Sequence, residues 1–180
     1  LVGVERLEAG KATAVIRFTL SAPRTSATGI PEGTQVRTAD KRYFKTEKYA
    51  EILPGELTVD VVAVADEAGS NSDGIAEGEI NVLVDPIPYV SGAKSVSAST
   101  GGTDTEGDDS FTRRINYAPS IFSVAGPVDA YEYFASSWRS DVADTKIVCK
   151  EGYTIHIYFL MAGGRVPTRE ECTGMQEYFD

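Results

Sequence analysis

A chain of 180 residues with 42% hydrophobic content can bury a core and has room for one domain or two small ones. Its net charge of −10 and pI near 4.6 argue against a nucleic-acid partner, because an acidic surface repels phosphate. No run of about 18 apolar residues is present, so no membrane helix is predicted. The only cysteines, Cys149 and Cys172, lack the number and spacing of a disulfide framework or a zinc site. They read as reduced, buried apolar groups, as suits a reducing cytoplasm. The sequence begins at Leu1 without a visible signal peptide and reads as part of a longer protein.

The first half patterns as strands. Across Ala12 to Leu20, Ala14, Ile16 and Phe18 fall on one face, with Thr13, Val15, Arg17 and Thr19 on the other. Residues 21–33 read as a loop punctuated by Pro23, Gly29, Pro31 and Gly33. Gln35 to Thr38 and Tyr43 to Thr46 form a hairpin pattern about Asp40-Lys41, although the favoured Asp-Gly turn is absent. Thr58 to Ala65, with Val59, Val61, Val62 and Val64, suits a central strand. A Gly/Ser/Asn/Asp loop covers 68–78, and Ile80 to Val84 is a short strand ended by Pro86 and Pro88. A Ser/Thr/Gly-rich stretch follows, with a strand near Lys94 to Ser97, and the domain boundary is placed here.

The second half mixes helix and strand. Thr103 and Glu106 have capping-box spacing, with Asp104 and Asp108 as alternative caps. Phe111, Ile115, Ala118 and Phe122 make one helical face, and Pro119 ends the regular part. A second helix starts at Pro127 after Gly126, with Val128, Tyr131, Phe134, Ala135 and Trp138 as its stripe. Lys146 to Lys150 and Tyr153 to Leu160 read as strands, the second with Ile155, Ile157 and Phe159 on one face. Thr168 and Glu171 form a capping box for a third helix, whose face carries Cys172, Met175, Tyr178 and Phe179. The expected fold is α+β, with a β-rich N-terminal domain over 1–90 and a small α/β domain over 91–180.

No residue here is assigned to chemistry. The single histidine, His156, sits in an apolar strand without a nucleophile elbow, and the P-loop and HExxH patterns are absent. The loop from Asp66 to Gly74 offers oxygen ligands, but its spacing fails the EF-hand register, and it reads as a solvated acidic loop. Asp104, Glu106, Asp108 and Asp109 read as negative charge at a helix N-terminus. Tyr131, Tyr133, Phe134 and Trp138 read as core, with Tyr133 as the exposed ring. The assignment is therefore no catalytic residue, no cofactor site and no metal site. A tail glycan hydrolase would need a carboxylate pair in a cleft, and nothing points to one.

The order of several segments resembles the baseplate J-like proteins of contractile phage tails. They are the strand Val59 to Ala65, the loop Gly69 to Gly74 and Ala76-Glu77-Gly78-Glu79-Ile80. Then come Gly101-Gly102-Thr103-Asp104-Thr105-Glu106, the run Phe111-Thr112-Arg113-Arg114-Ile115, and Ala125-Gly126-Pro127 leading to Ala130-Tyr131-Glu132-Tyr133. Thr34 to Thr38 followed by Tyr43-Phe44 also fits. The resemblance covers most of residues 12 to 175. Ser95, Gly107, Thr112 and Asp73-Gly74 depart from residues common in the family.

The resemblance implies a structural, non-enzymatic component of a baseplate wedge in a phage, prophage or tail-derived injection particle. It would be assembled in the bacterial cytoplasm and reside in the virion tail. Its partners would be other wedge and hub proteins, with self-association of the full-length protein, and neither nucleic acid nor membrane. The family's N-terminal helical and C-terminal regions would lie outside these residues. The residues in hand are therefore expected to be monomeric or weakly associating, with Tyr178 and Phe179 as a modest sticky patch. The alternative is a secreted or surface β-sandwich adhesin that binds carbohydrate or calcium.

Overall fold

The computed structural model describes residues 3–122, 127–150 and 154–180. The fold is α+β, and the chain forms two compact units. One is Gly10–Thr103. The other joins Leu1–Ala9 to Asp104–Asp180. The sequence boundary near residue 90 followed a change in composition.

In Gly10–Thr103, the period-two pattern of β1 (Lys11–Leu20) sorts its side chains by face. Ala12, Ala14, Ile16, Phe18 and Leu20 are buried, with Lys11, Thr13, Arg17 and Thr19 less so. The other strands are β2 (Thr28–Ile30), β3 (Gln35–Arg37), β4 (Tyr43–Thr46), β5 (Ala50–Ile52), β6 (Thr58–Ala68), β7 (Val82–Leu83) and β8 (Val90–Ser95). A six-stranded sheet runs in the order β7-β3-β4-β6-β1-β8, with antiparallel pairings. Ile16 faces Val61 and Phe18 faces Val59 across the β1/β6 pair.

The segment before β7 closes this sheet toward a barrel. Ser95 donates to the Ile80 carbonyl at 2.9 Å, and Ser99 to the Ile75 carbonyl at 2.9 Å. The same segment then becomes β7 and pairs with β3. Both ends of the strand order are thus bonded to one stretch of chain. Closure of this kind removes the open edges at which sheets aggregate.

The β3/β4 hairpin holds the expected strands, with Val36 opposite Phe44. Lys41 takes φ 68, the left-handed region that Gly usually fills, and its N–H donates to the Thr38 carbonyl at 3.2 Å. The central strand β6 differs from expectation in its faces. Val61, Ala63 and Ala65 are buried, but Val62 is 43% exposed, because a barrel wall has one inner face.

The β2/β5 pair, Thr28 opposite Ile52, falls partly where the sequence predicted loop. Three-residue strands carry no measurable periodicity. Ile30 and Ile52 are nonetheless fully buried in the barrel core. A Cβ at Gly29 would lie 2.7 Å from the hydroxyl of the exposed Tyr49, so a side chain there would displace that ring.

In the other unit, α1 (Asp108–Tyr117) gives way at Ala118, the residue before Pro119, to a short 3-10 segment, Ala118–Phe122. It is followed by α2 (Val128–Ser137), β9 (Val142–Lys150), β10 (Thr154–Met161) and α3 (Arg169–Phe179). Strands β9 and β10 form an antiparallel two-stranded sheet. Pro127 is the N-cap of α2 rather than its first helical residue. The expected Ala125-Gly126 entry and the Tyr153 strand start lie outside the described residues. The core consists of Ala135, Val142, Met161 and Met175, with Trp138, Ile157, Phe159 and Phe179 packed against it.

Two readings of these helices are corrected. On α1, Ile115 is exposed, and Phe122 beyond it is exposed as well. The buried helical residue is Arg114. The Thr103/Glu106 capping box does not form. The cap of α1 is Gly107 without a side-chain bond, because Glu106 is engaged elsewhere.

The Thr168/Glu171 capping box forms as predicted. The Glu171 N–H donates to Thr168 Oγ1 at 3.2 Å, and the Thr168 N–H to Glu171 Oε2 at 2.8 Å. Arg165, hydrogen-bonded to Glu171, holds its carboxyl down to about 2, against the upward push of burial. Thr168→Ala should cost about 1 kcal/mol in chemical denaturation. Glu171 titrates lower when folded than when unfolded, so its stability contribution is present above the ordinary carboxylate range. That contribution is lost as pH falls toward 2, and Glu171→Gln should flatten this part of the melting profile.

Candidate functional site

The Gly101 to Arg114 stretch has a structural division of labour. Gly101 adopts φ 91. A Cβ on Gly102 would sit 2.7 Å from the Gly69 carbonyl oxygen, and its N–H donates to Asp73 Oδ1 at 3.0 Å. Thr103 Oγ1 accepts from the Gly10 N–H at 3.0 Å. These residues tie down the end of the barrel unit.

Glu106 and Arg114 belong to the other unit, eight residues apart, and are 2% and 3% exposed. Their pairing is bidentate, with Arg114 Nε to Glu106 Oε1 and Nη2 to Oε2, both at 2.8 Å. Ser110 Oγ donates to Oε1 at 3.0 Å and the Leu7 N–H to Oε2 at 3.1 Å. Arg114 also donates to Ser137 Oγ at 3.0 Å and to the Glu5 carbonyl at 2.5 Å. Burial pushes the Glu106 carboxyl up, but Arg114, Leu7 and Ser110 together hold it below its ordinary range. A carboxylate so held stays ionised and is suited to structure rather than proton transfer.

The other acidic positions separate. Asp108 is exposed and pairs with Arg6 at 2.7 Å, and Asp109 lies with it in the first turn of α1. Helix-terminal charge therefore describes Asp108 and Asp109 but not Glu106. Asp66 lies in β6 and pairs with Lys45 at 2.7 Å, while Asp73, in the loop that follows, accepts from the Gly102 N–H. That loop is bound to its own unit, with Ser72 buried beneath Ser99 Oγ.

His156 is half-buried and stacks on Tyr158 at 6.3 Å. Among the aromatics of α2, Trp138 enters the core against Phe159 at 5.9 Å. Phe134, not Tyr133, is the more exposed ring. Both cysteines are free and exposed, contrary to the buried reading, since β9 and α3 turn those positions outward.

The helical unit leaves apolar surface uncovered. Tyr158 is 51% exposed and Val166 73%, and Leu160, Ile115, Val128 and Tyr178 are also exposed. Tyr158, Leu160, Val166 and Pro167 share a groove of about 450 Å³ with Lys146 and Cys172. The sequence pattern predicts buried helix faces for Ile115 and Val128 and an exposed patch for Tyr178, and Tyr158 and Leu160 alternate with the Ile155, Ile157 and Phe159 face. Short helices and a two-stranded sheet have too little area to cover each other.

Among known families, the model described as "Baseplate J-like protein barrel domain" matches residues 15–102. Among solved structures, the chain resembles one from the six-fold symmetrised cryo-EM baseplate of the anti-feeding prophage. The TM-score is 0.53 at 11% sequence identity, over 99% of this chain and 55% of that one. The chain therefore spans about half the length of the structure it matches. At that identity the likeness is one of fold. No curated protein matches the sequence.

Proposed function

We propose that the chain is a structural part of a contractile-tail baseplate, because residues 15–102 match the barrel domain model of baseplate J-like proteins. The family match over residues 15–102 carries this reading, and the likeness of fold to a prophage baseplate chain supports it. In its finer form, the protein is a wedge subunit that binds its own copies and neighbouring wedge and hub proteins. It is made in the bacterial cytoplasm, resides in the tail of a phage, prophage or injection particle, and acts by assembly without catalysis. The β-rich and α/β parts are then portions of a longer protein, in keeping with the 55% coverage of the matched chain.

The uncovered groove residues favour a share of the assembly contact within the helical unit, beside whatever other regions contribute. Aromatic side chains such as Tyr158 are enriched in protein interfaces and carry a large share of their binding energy. Deleting the coding sequence in its bacterium should leave tails without baseplates by electron microscopy. Tyr158→Ser with Leu160→Ser should reduce rescue while preserving the circular-dichroism spectrum. Normal baseplates in the deletion strain would sink the proposal. The calcium-binding adhesin is not favoured, because Asp66 and Asp73 already have partners. Calcium calorimetry is expected to give no binding heat at that loop.

A further inference from the structure

The residues around Glu106 and Arg114 do more than pair with each other. They seat a remote segment of chain, Glu5 to Leu7, largely through its backbone. Arg114 donates to the Glu5 carbonyl at 2.5 Å. The Leu7 N–H donates to Glu106 Oε2 at 3.1 Å, and the Glu106 N–H returns a bond to the Leu7 carbonyl at 3.0 Å. One side chain adds selectivity. Arg6 lies over the Phe111 ring at 4.7 Å, donates to the Glu106 carbonyl at 2.5 Å and pairs with Asp108 at 2.7 Å.

We propose that this seat is a peptide-acceptor site, filled in cis by residues 5–7, which can take a matching segment of another chain when the cis segment is released. The ligand class is a short peptide with an arginine followed by an apolar residue, its flanking amides free to bond.

Three features support the assignment. The two charged side chains that bond the segment's backbone, Glu106 and Arg114, are buried, while Asp108, which pairs with Arg6, is exposed. Its bonds to the segment are mostly main-chain, so a neighbouring chain can supply them equally well. The cis segment reaches the seat from across the whole barrel unit in sequence, so the helical unit is completed by chain that is not contiguous with it. The inference concerns this seat alone and stands apart from any baseplate role.

The test uses the full chain and a synthetic peptide of residues 3–9. In the wild type, the cis segment competes at high effective concentration and keeps added peptide out. Arg6→Ala loosens that segment by removing its stacking and ion pair. The Leu7 and Glu106 amides should then exchange about tenfold faster or more, while the Ile16 amide in the barrel is unchanged. The same variant should bind the peptide, seen in its Glu106 and Ser137 amide signals, at least about tenfold tighter than wild type does. A peptide carrying alanine at the arginine position should lose that gain. A structural strap alone would give the faster exchange without the peptide binding. No peptide binding by the Arg6→Ala chain, or unprotected Leu7 and Glu106 amides in the wild type, would overturn the proposal. Leu7→Pro, which removes the N–H that Glu106 accepts, should behave like Arg6→Ala, and a Leu7→Pro chain that binds no peptide would likewise refute it.

Discussion

Glu106→Ala and Arg114→Ala should each destabilise the helical unit by about 3–5 kcal/mol, because each leaves the opposite charge buried without its partner. Both residues are almost fully buried, and the Glu106 carboxylate accepts from Arg114, Ser110 and Leu7. Trp138, the only tryptophan, packs against the core of this unit, so its emission reports the loss in a denaturant titration. Replacing both charges together, as Glu106→Leu with Arg114→Met, should cost much less than the sum of the single changes. An apolar pair leaves no buried charge unpaired, although the Leu7 N–H and the Glu5 carbonyl lose their partners, and the difference measures the coupling. Acid should reproduce part of the single-variant loss. The Glu106 carboxyl titrates below its ordinary range when folded, so its contribution is present at neutral pH and lost as pH falls through its lowered folded value. If either single variant stays within about 1 kcal/mol of the wild type, the pair is not what holds this unit together.

Phe18→Ala and Phe44→Ala should each cost about 3–5 kcal/mol by cavity formation in the barrel. Both rings are fully buried. Phe18 sits on β1 between Val59 of β6 and Ala93 of β8, and Phe44 on β4 faces Val36 of β3 and Ala65 of β6. Each therefore supports a sheet seam on either side. Against domain stabilities of about 5–15 kcal/mol, one such loss removes most of the margin. Phe18→Leu should recover part of it by refilling volume. Tyr43→Ala, on the outer side of the same hairpin, should change stability by less than about 1 kcal/mol. Far-UV circular dichroism during thermal melting follows both. A Phe18→Ala chain that melts with the wild type would show that the ring is not a core element.

The barrel seams and the helix caps differ in how far local sequence specifies them. Period-two alternation in β1 determined its buried face by itself, since successive residues on any extended strand must point opposite ways. The Thr168/Glu171 box was equally local, its partners lying three residues apart. The order of segments from Thr34 to Tyr133 was enough for the family resemblance. By contrast, the pairing of Glu106 with Arg114 and Leu7 required residues distant in sequence to meet, and capping-box spacing pointed Glu106 to the wrong partner. The β2/β5 pair was too short to show a period, and the exposed outer face of β6 followed from closure of the sheet. The exposure of Ile115, Phe134 and Cys172 was likewise undetermined by their spacing. Helical periodicity says which residues share a face, but whether that face is buried depends on how much surface the other elements can cover, and only the tertiary structure decides that.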